Sequence, residues 1–573
     1  MYRTVNYITF KGSAFLRVIP ILSLTLLLGC TKQNRTDLTI QDETLAKIND
    51  LSISVSHFET SFKEYFYRTG QVLAPDKQTR KAILENEFHT YVLATYAIQD
   101  GISDSEEAKK REKAIVRRVL TEEYNAQVIV KDVRVSEQDL REYFQRFNTR
   151  VRASHLYAAT RSEIQTLKNR LDAGESFEQL AKKAFKNSEL AKNGGDLGWF
   201  TTDDMDVSFE EAAFSLSMNR ISEPVQTAQG YSIIKVTDRV QKPILTEQEF
   251  NQHRDRLFNY VQKKKNELRT REHLNQFMES CEWNESVTQS LWNDFFRNQT
   301  AVLAQDEEFL RTLSHDTEML LKFNDFVFTI SDFIEEYSIS TAIRKSSISN
   351  EDSFKAFLLG AAYRVYMVRE AKRLKIDQQS EVAESIQETY LHMLESLAVE
   401  HLRATIQNTP AELYNEFFAA PERYATPLYL NLQRIIVDNQ EIAESVRSLA
   451  LNGVNYDDLV REYTTNGEER LRNGEIGFTS IHDFGVNKTM LATLEIGEIS
   501  KVIPYLSTEY HVYKVIGREE SRQLTFDEAK EWVDEILTEK KLKTLKAATI
   551  EQVKLQNDAF VDLDKLNSLA IRI

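Results

Sequence analysis

The sequence predicts an α+β multidomain chain in which two mixed α/β modules alternate with mainly helical modules. Three observations lead there: an uneven spread of glycine, an internal repeat, and long stretches of helical periodicity. Of the 17 glycines in 573 residues, five fall within 151–240 and seven within 426–520. Glycine costs a helix interior about 1 kcal/mol against alanine. The glycine-poor stretches therefore read as long helices, and the glycine-bearing ones as sheet with tight turns. Leu245–Phe277, with apolar residues three and four apart, fits the helical part of that reading.

The two glycine-bearing segments repeat each other. Gly195-Asp196-Leu197-Gly198 returns 279 positions on as Gly474-Glu475-Ile476-Gly477, and Gly174, Phe177 and Leu180 match Gly453, Tyr456 and Leu459. Further on, Ile221-Ser222 meets Ile499-Ser500, and Gly230–Val236 meets Glu509–Val515. Upstream, Ala46–Phe58 returns as Leu321–Phe333; each reads as a short strand, an Asn-Asp turn, a second strand and a serine N-cap opening a helix. A period this long is a domain duplication, not a solenoid. The expected segments are a leader over 1–29, a tether over 30–40, a helical module over 41–148 and an α/β module over 149–240. A helical linker over 241–318, a second helical module over 319–424, a second α/β module over 425–520 and a helical tail over 521–573 follow.

At the start of the chain Arg3, Lys11 and Arg17 precede the apolar run Val18–Leu28. That run is too short to span a bilayer, which takes about 20 residues. It ends in Leu27-Leu28-Gly29-Cys30, which resembles the lipobox of bacterial lipoproteins. The resemblance implies cleavage before Cys30, lipidation of its thiol, and attachment to a membrane of the cell envelope facing the periplasm. Thr31 stands where an aspartate marks inner-membrane retention in some bacteria, which favours the outer membrane over the inner. With Cys30 lipidated, Cys281 has no disulfide partner and reads as a small buried hydrophobe.

Several chemistries are set aside. A formal charge of −16 argues against a nucleic-acid partner, which needs a basic face. Lys263-Lys264-Lys265 lies in a helical, glutamate-containing context and reads as a solvated face. No P-loop, HExxH, GxSxG or GxGxxG pattern occurs. His392 and His401, nine apart on one predicted helix, do not make a ligand pair.

Within the first α/β module, Arg152–Ala159 reads as a strand, and Glu163–Leu171 and Phe177–Phe185 as helices. Ser136 and Asp139 form a capping-box pattern on the helix leading in. Asn193–Phe200, NGGDLGWF, places glycine at 194, 195 and 198. No basic residue of a phosphate loop follows it, so it reads as a tight turn presenting Leu197, with Asp196 capping local backbone amides. Ser208–Leu216 reads as a short helix, and Ile221–Pro224 and Tyr231–Val236 as closing strands. The order β-α-α-β-α-β-β suggests a compact sheet covered by helices.

The run of ASHL, GESFEQLA, GGDLGWF, MDVSF, ISEPV and GYSIIKV over residues 151–240 resembles the parvulin family of peptidyl-prolyl cis/trans isomerases. The flanking helical architecture resembles the SurA-, PpiD- and PrsA-type export chaperones. The resemblance implies rotation about an X–Pro bond, across a barrier near 20 kcal/mol, without cofactor, metal or covalent intermediate. It implies a catalytic group of His155, Ser188 and Ser232, and substrate contacts from Leu197, Met205, Phe209, Thr227 and Gln229. Spacing alone leaves Leu197, Met205 and Phe209 open between pocket and ordinary core; the resemblance implies the pocket. Many parvulins carry cysteine or aspartate where this chain has Ser188, and a second histidine where it has Ser232. Only Arg161 follows His155 among nearby cations, so a phosphate-directed specificity is not implied.

In the second module Arg434 replaces His155, Phe484 falls near Met205, Lys488 falls near Phe209, and His511 stands where the first module has Ser232. It reads as a degenerate parvulin kept for structure or for gripping extended peptides. Aromatic clusters in the helical modules, such as Tyr65-Phe66-Tyr67, Phe295-Phe296 and Tyr414 with Phe417-Phe418, read as core, with some left over to cradle unfolded clients. The implied partners are unfolded exported proteins and their X–Pro segments. Three functions fit: a membrane-tethered foldase and isomerase, a non-catalytic chaperone or assembly factor, or a structural subunit of an envelope complex.

Overall fold

The structure, a computed structural model, describes residues 43–69, 76–185, 188–242, 245–296, 316–505 and 509–569. The described parts of Met1–Glu85 and Ala559–Ile573 form one compact unit, and those of Asn86–Asp558 another. The lipobox and Cys30 lie outside the described residues. Among the described residues no helix is long and apolar enough to cross a membrane.

The first half opens on a hairpin, β1 (Thr44–Ile48) and β2 (Leu51–Ser54), whose turn puts Asn49 at a left-handed φ of 51°. Asparagine tolerates that conformation through its short polar side chain. Helix α1 (Val55–Thr69) follows, with Ser54 Oγ accepting the His57 N–H at 3.2 Å. Then come α2 (Lys77–Gln99), α3 (Glu106–Tyr124) and α4 (Glu137–Phe147), the last opened by the Ser136–Asp139 capping box.

The α/β module runs β3 (Thr149–Ala158), α5 (Arg161–Asp172), α6 (Phe177–Ala184), α7 (Ser188–Lys192) and β4 (Asp196–Phe200). It closes with α8 (Val207–Ser215), β5 (Val225–Thr227) and β6 (Gly230–Gln241). The antiparallel sheet has the order β4-β3-β6-β5. Alternation along the strands sorts the core into two faces. Leu156 and Ile233 pack with α5 and α6, whereas Val151, Ala153, Ile234 and Val236 pack with Phe209, Ala213 and Phe214 of α8. Two local expectations change. Ile221–Pro224 is not a strand: Ile221 makes one isolated bridge to Lys235, and the edge strand is Val225–Thr227. The second part of NGGDLGWF is strand β4, with the turn confined to the glycines before it.

After the module, α9 (Glu247–Ser280) opens on a Thr246–Glu249 capping box, followed by β7 (Glu282–Trp283) and α10 (Glu285–Phe296). Cys281 is half-buried, not sealed in a core, and burial pushes its thiol up to about 11. The side chains of Phe295 and Phe296 lie outside the described positions.

The second half repeats the plan. It begins with β8 (Met319–Phe323), β9 (Phe326–Thr329), α11 (Ile330–Ser338), α12 (Ala342–Ser346), α13 (Glu351–Arg373), α14 (Ser380–Ala404) and α15 (Pro410–Ala419). The cap of α11 is Thr329, two residues before the serine, Ser331, that the sequence pattern suggests. The second α/β module follows as β10 (Tyr429–Val437), α16 (Gln440–Leu451), α17 (Tyr456–Tyr463), α18 (Gly467–Leu471) and β11 (Glu475–Ser480). It ends with α19 (Lys488–Leu491), β12 (Ile503–Tyr505) and β13 (Glu509–Glu519). Then come α20 (Phe526–Gln556), β14 (Ala559–Val561) and α21 (Leu563–Ser568).

The two halves exchange their ends. Strand β7, which closes the first half, pairs with β8 of the second; β14, which closes the second, pairs with β1 of the first. The long helices follow the same crossing. On α9, His273 Nδ1 lies 2.7 Å from the Tyr363 hydroxyl of α13, and Lys554 of α20 sits over the Phe88 ring of α2.

Candidate active site

The glycine turn sets the site. Gly195 has φ +79°, and a Cβ there would lie 2.3 Å from the carbonyl oxygen of His155. Only glycine permits that approach, which lets the His155 N–H donate to the Gly195 carbonyl at 2.9 Å. Asn193 Oδ1 accepts the N–H groups of Gly195 and Asp196, at 3.1 and 3.0 Å. Asp196 Oδ1 accepts the Gly198 N–H at 3.0 Å, and the carboxylate takes a two-pronged pair from Arg152. These bonds hold Leu197 at the edge of the α8 face, where it packs on the core beside Phe209.

Across that face stands His155. Its ring lies 5.1 Å from Phe185 and 5.9 Å from Phe209, centroid to centroid. Nδ1 is 3.4 Å from Ser232 Oγ, and the buried Nε2 has no hydrogen-bond partner among the described residues. Burial disfavours the imidazolium and pulls the pKa down to about 4, so the ring is neutral at ordinary pH. Phe185 ends α6 in an extended conformation, which turns its ring onto the histidine.

Met205 and Phe209 are carried by the segment that enters α8. Phe209 is buried and Met205 packs against the same cluster. The Met205 N–H donates to Glu210 Oε1 at 3.0 Å. Asp206 caps α8 through the Ser208 N–H at 2.9 Å, and its other oxygen accepts the Ala228 N–H at 3.0 Å. That second bond ties the β5–β6 turn, with Thr227 and Gln229, to the mouth of the site. Thr227 Oγ1 donates to the Gly230 carbonyl at 3.1 Å, and the Tyr157 hydroxyl donates to the Gln229 carbonyl at 2.7 Å.

The structure thus gathers His155, Ser232, Leu197, Met205 and Phe209 on one face, with Thr227 and Gln229 at its edge. Ser188 opens α7, and its side chain lies outside the described positions. Sequence reasoning missed Phe185, Glu210 and Lys264. It also misread the lysine run as a solvated face: Lys264 is only 6% exposed and pairs with Glu210 and Asp203. Three consecutive lysines carry no mark of which one faces inward. Chemically, the arrangement sets partly buried apolar side chains beside a neutral, desolvated imidazole, a setting suited to holding a ring and a polarised amide without proton transfer.

In the second module the same backbone holds different contents. Gly474 repeats the close approach, with the Arg434 N–H donating to its carbonyl at 2.8 Å. Arg434 pairs with Glu469, His511 Nδ1 lies 3.0 Å from the Tyr513 hydroxyl, and Tyr505 stacks on His511 at 4.6 Å. Phe484 packs into the core there, while Lys488 is exposed. The second module thus keeps apolar residues at Ile476 and Phe484 but replaces the His155 imidazole with the Arg434–Glu469 ion pair.

Residues 103–240 match a family described as PPIC-type PPIASE domain, and residues 409–531 match a second family of the same description. A foldase protein PrsA of Geobacillus kaustophilus is 38% identical over 154 residues, 27% of this chain and 53% of that protein. One from Exiguobacterium sibiricum is 30% identical over 217 residues, 37% of this chain and 67% of that protein. Among solved structures, the peptidylprolyl isomerase PrsA of Bacillus anthracis aligns at 24% identity over 33% of this chain and 97% of its own, with a TM-score of 0.19. The chain spans about half the length of the first curated relatives it matches.

Proposed function

Given that the chain belongs to the PPIC-type peptidyl-prolyl isomerase (parvulin) family, we propose that it is an envelope foldase whose first α/β module isomerises X–Pro bonds. One observation carries this reading: Leu197 and Met205 pack with Phe209 beside a neutral His155, a position that the second module fills with Arg434. Leu197, Met205 and Phe209 would hold the proline ring, with Thr227 and Gln229 along the peptide. Burial of the ring and loss of water around the amide favour the twisted transition state over the planar ground state. His155 and Ser232 would shape and desolvate that face, and Ser188 completes the group that the family resemblance implies. The second module, its site filled by the Arg434–Glu469 pair, serves binding or architecture.

Clients would be unfolded exported proteins. A holdase role beside the isomerase is favoured by Tyr414 and Phe418, which stack at 5.3 Å while 50% and 61% exposed. The modular division read from the sequence, and lipid attachment at Cys30, belong to the same proposal. Cys30→Ala is expected to move the protein from the membrane to the soluble fraction. The deciding experiment is turnover of a proline tetrapeptide by the full chain. Activity lost in Met205→Ala supports the isomerase; no turnover, with suppression of client aggregation, supports the chaperone alone.

A further inference from the structure

The lysine run of α9 divides among three environments. Lys263 is exposed and lies 3.9 Å from Glu267 on its own helix. Lys265 reaches Asp139 of α4 at 2.8 Å. Lys264 is buried against the first α/β module, its Nζ 2.8 Å from Asp203 Oδ1 and 3.3 Å from Glu210 Oε2.

Both partners belong to the segment that carries the pocket. Glu210 is 5% exposed; one of its oxygens faces Lys264 and the other accepts the Met205 N–H at 3.0 Å. Asp203, two residues before Met205, has a left-handed φ of 73°. Burial raises the Glu210 carboxyl, against the opposing pull of the Met205 amide and the ammonium. Burial alone would lower the Lys264 ammonium, but Asp203 and Glu210 outweigh it and raise it. Removing one member of such a pair strands the other in a dry site.

The second half supplies an internal contrast. Lys543 holds the place of Lys264 on α20 and is exposed. The turn that matches the start of α8 there reads Asn487-Lys488-Thr489-Met490, without a carboxylate. Among the described residues, the buried pair exists in the half that carries His155 and is missing from the half that carries Arg434 in its place.

We propose that Lys264 is a positioning residue for the proline pocket: through Glu210 and Asp203 it fixes the 203–210 segment that presents Met205 and Phe209, so that turnover depends on α9 being docked. This rests on the reading of Leu197, Met205 and Phe209 as the prolyl site. A displacement of about 1 Å in a positioned group is enough to cost large factors in rate.

The test uses the full chain, with methionine labelled at the 13C-methyl position and Met205 assigned by its loss in Met205→Leu. Lys264→Met is expected to lower kcat/KM for a proline tetrapeptide about fivefold or more and to shift the Met205 methyl signal. Lys264→Arg should restore both, to within about twofold in rate. The double variant Lys264→Met with Glu210→Gln should recover part of the loss, because the amide oxygen still accepts the Met205 N–H and no charge is stranded. Lys265→Met is the control for general docking of α9. An unchanged rate and methyl signal in Lys264→Met, or an equal effect in Lys265→Met, overturns the proposal. If the unsubstituted chain shows no turnover, the isomerase reading fails, and the methyl shift in Lys264→Met against Lys265→Met still decides the positioning role. Should Lys264→Met fail to fold, Asp203→Asn replaces it with the same two readouts.

Discussion

Gly195 and His155 meet backbone to backbone: a Cβ on Gly195 would sit 2.3 Å from the His155 carbonyl oxygen. Gly198 shares the left-handed φ, at +75°, but has open space around its Cα. Gly195→Ala is therefore expected to destabilise the first α/β module by about 3 kcal/mol or more, and Gly198→Ala by about 1 kcal/mol. Hydrogen exchange of the β3 and β4 amides in the full chain measures both. Equal effects would mean that conformation, not the close approach, governs the turn.

Met205 and Phe209 share a face but differ in burial, Phe209 being 4% exposed and Met205 partly exposed. Phe209→Ala should cost about 3 kcal/mol of stability as well as turnover. Met205→Ala should lower kcat/KM about tenfold with little change in melting temperature. A methionine variant as active as the unsubstituted chain would remove Met205 from the substrate contacts.

The pKa of His155 is depressed from 6.5 to about 4. The unfolded chain binds this proton at higher pH than the folded one, so the stability it represents is full above pH 6.5 and lost as pH falls toward 4. The loss reaches about 3 kcal/mol at most. Hydrogen exchange of β3 should show that decline, flattened in His155→Gln. Turnover should stay level from pH 8 to about 5, since the ring is neutral throughout; a rate that titrates near 6.5 would contradict the buried environment.

In the second module, Arg434→Ala leaves Glu469 without its cation in a largely buried place. A loss of about 2 kcal/mol is expected, read from exchange of the β10 amides. Proline tetrapeptide turnover by the same variant should match that of the unsubstituted chain. A fall in turnover would place part of the catalysis in this module.

The sequence by itself carried the duplication, the mixed α/β modules between helical ones, and the capping box at Ser136 and Asp139. These depend on interactions a few residues apart, or on a motif repeated intact. His155, Leu197, Met205 and Phe209 were legible through short motifs, ASHL, GGDLGWF and MDVSF, whose resemblance to the parvulin family marks them, since each motif is local in sequence. Only tertiary structure decided which lysine of the 263–265 run turns inward, that Phe185 leaves its helix to cover His155, and that Arg434 meets Glu469. The exchange of β7 and β14 between halves was equally hidden, since a strand's pattern records that one face is buried and not which hairpin it joins. NGGDLGWF shows both sides at one place. Its glycines announce a backbone that bends, but the reason for Gly195 is the carbonyl of His155, forty residues earlier in the chain.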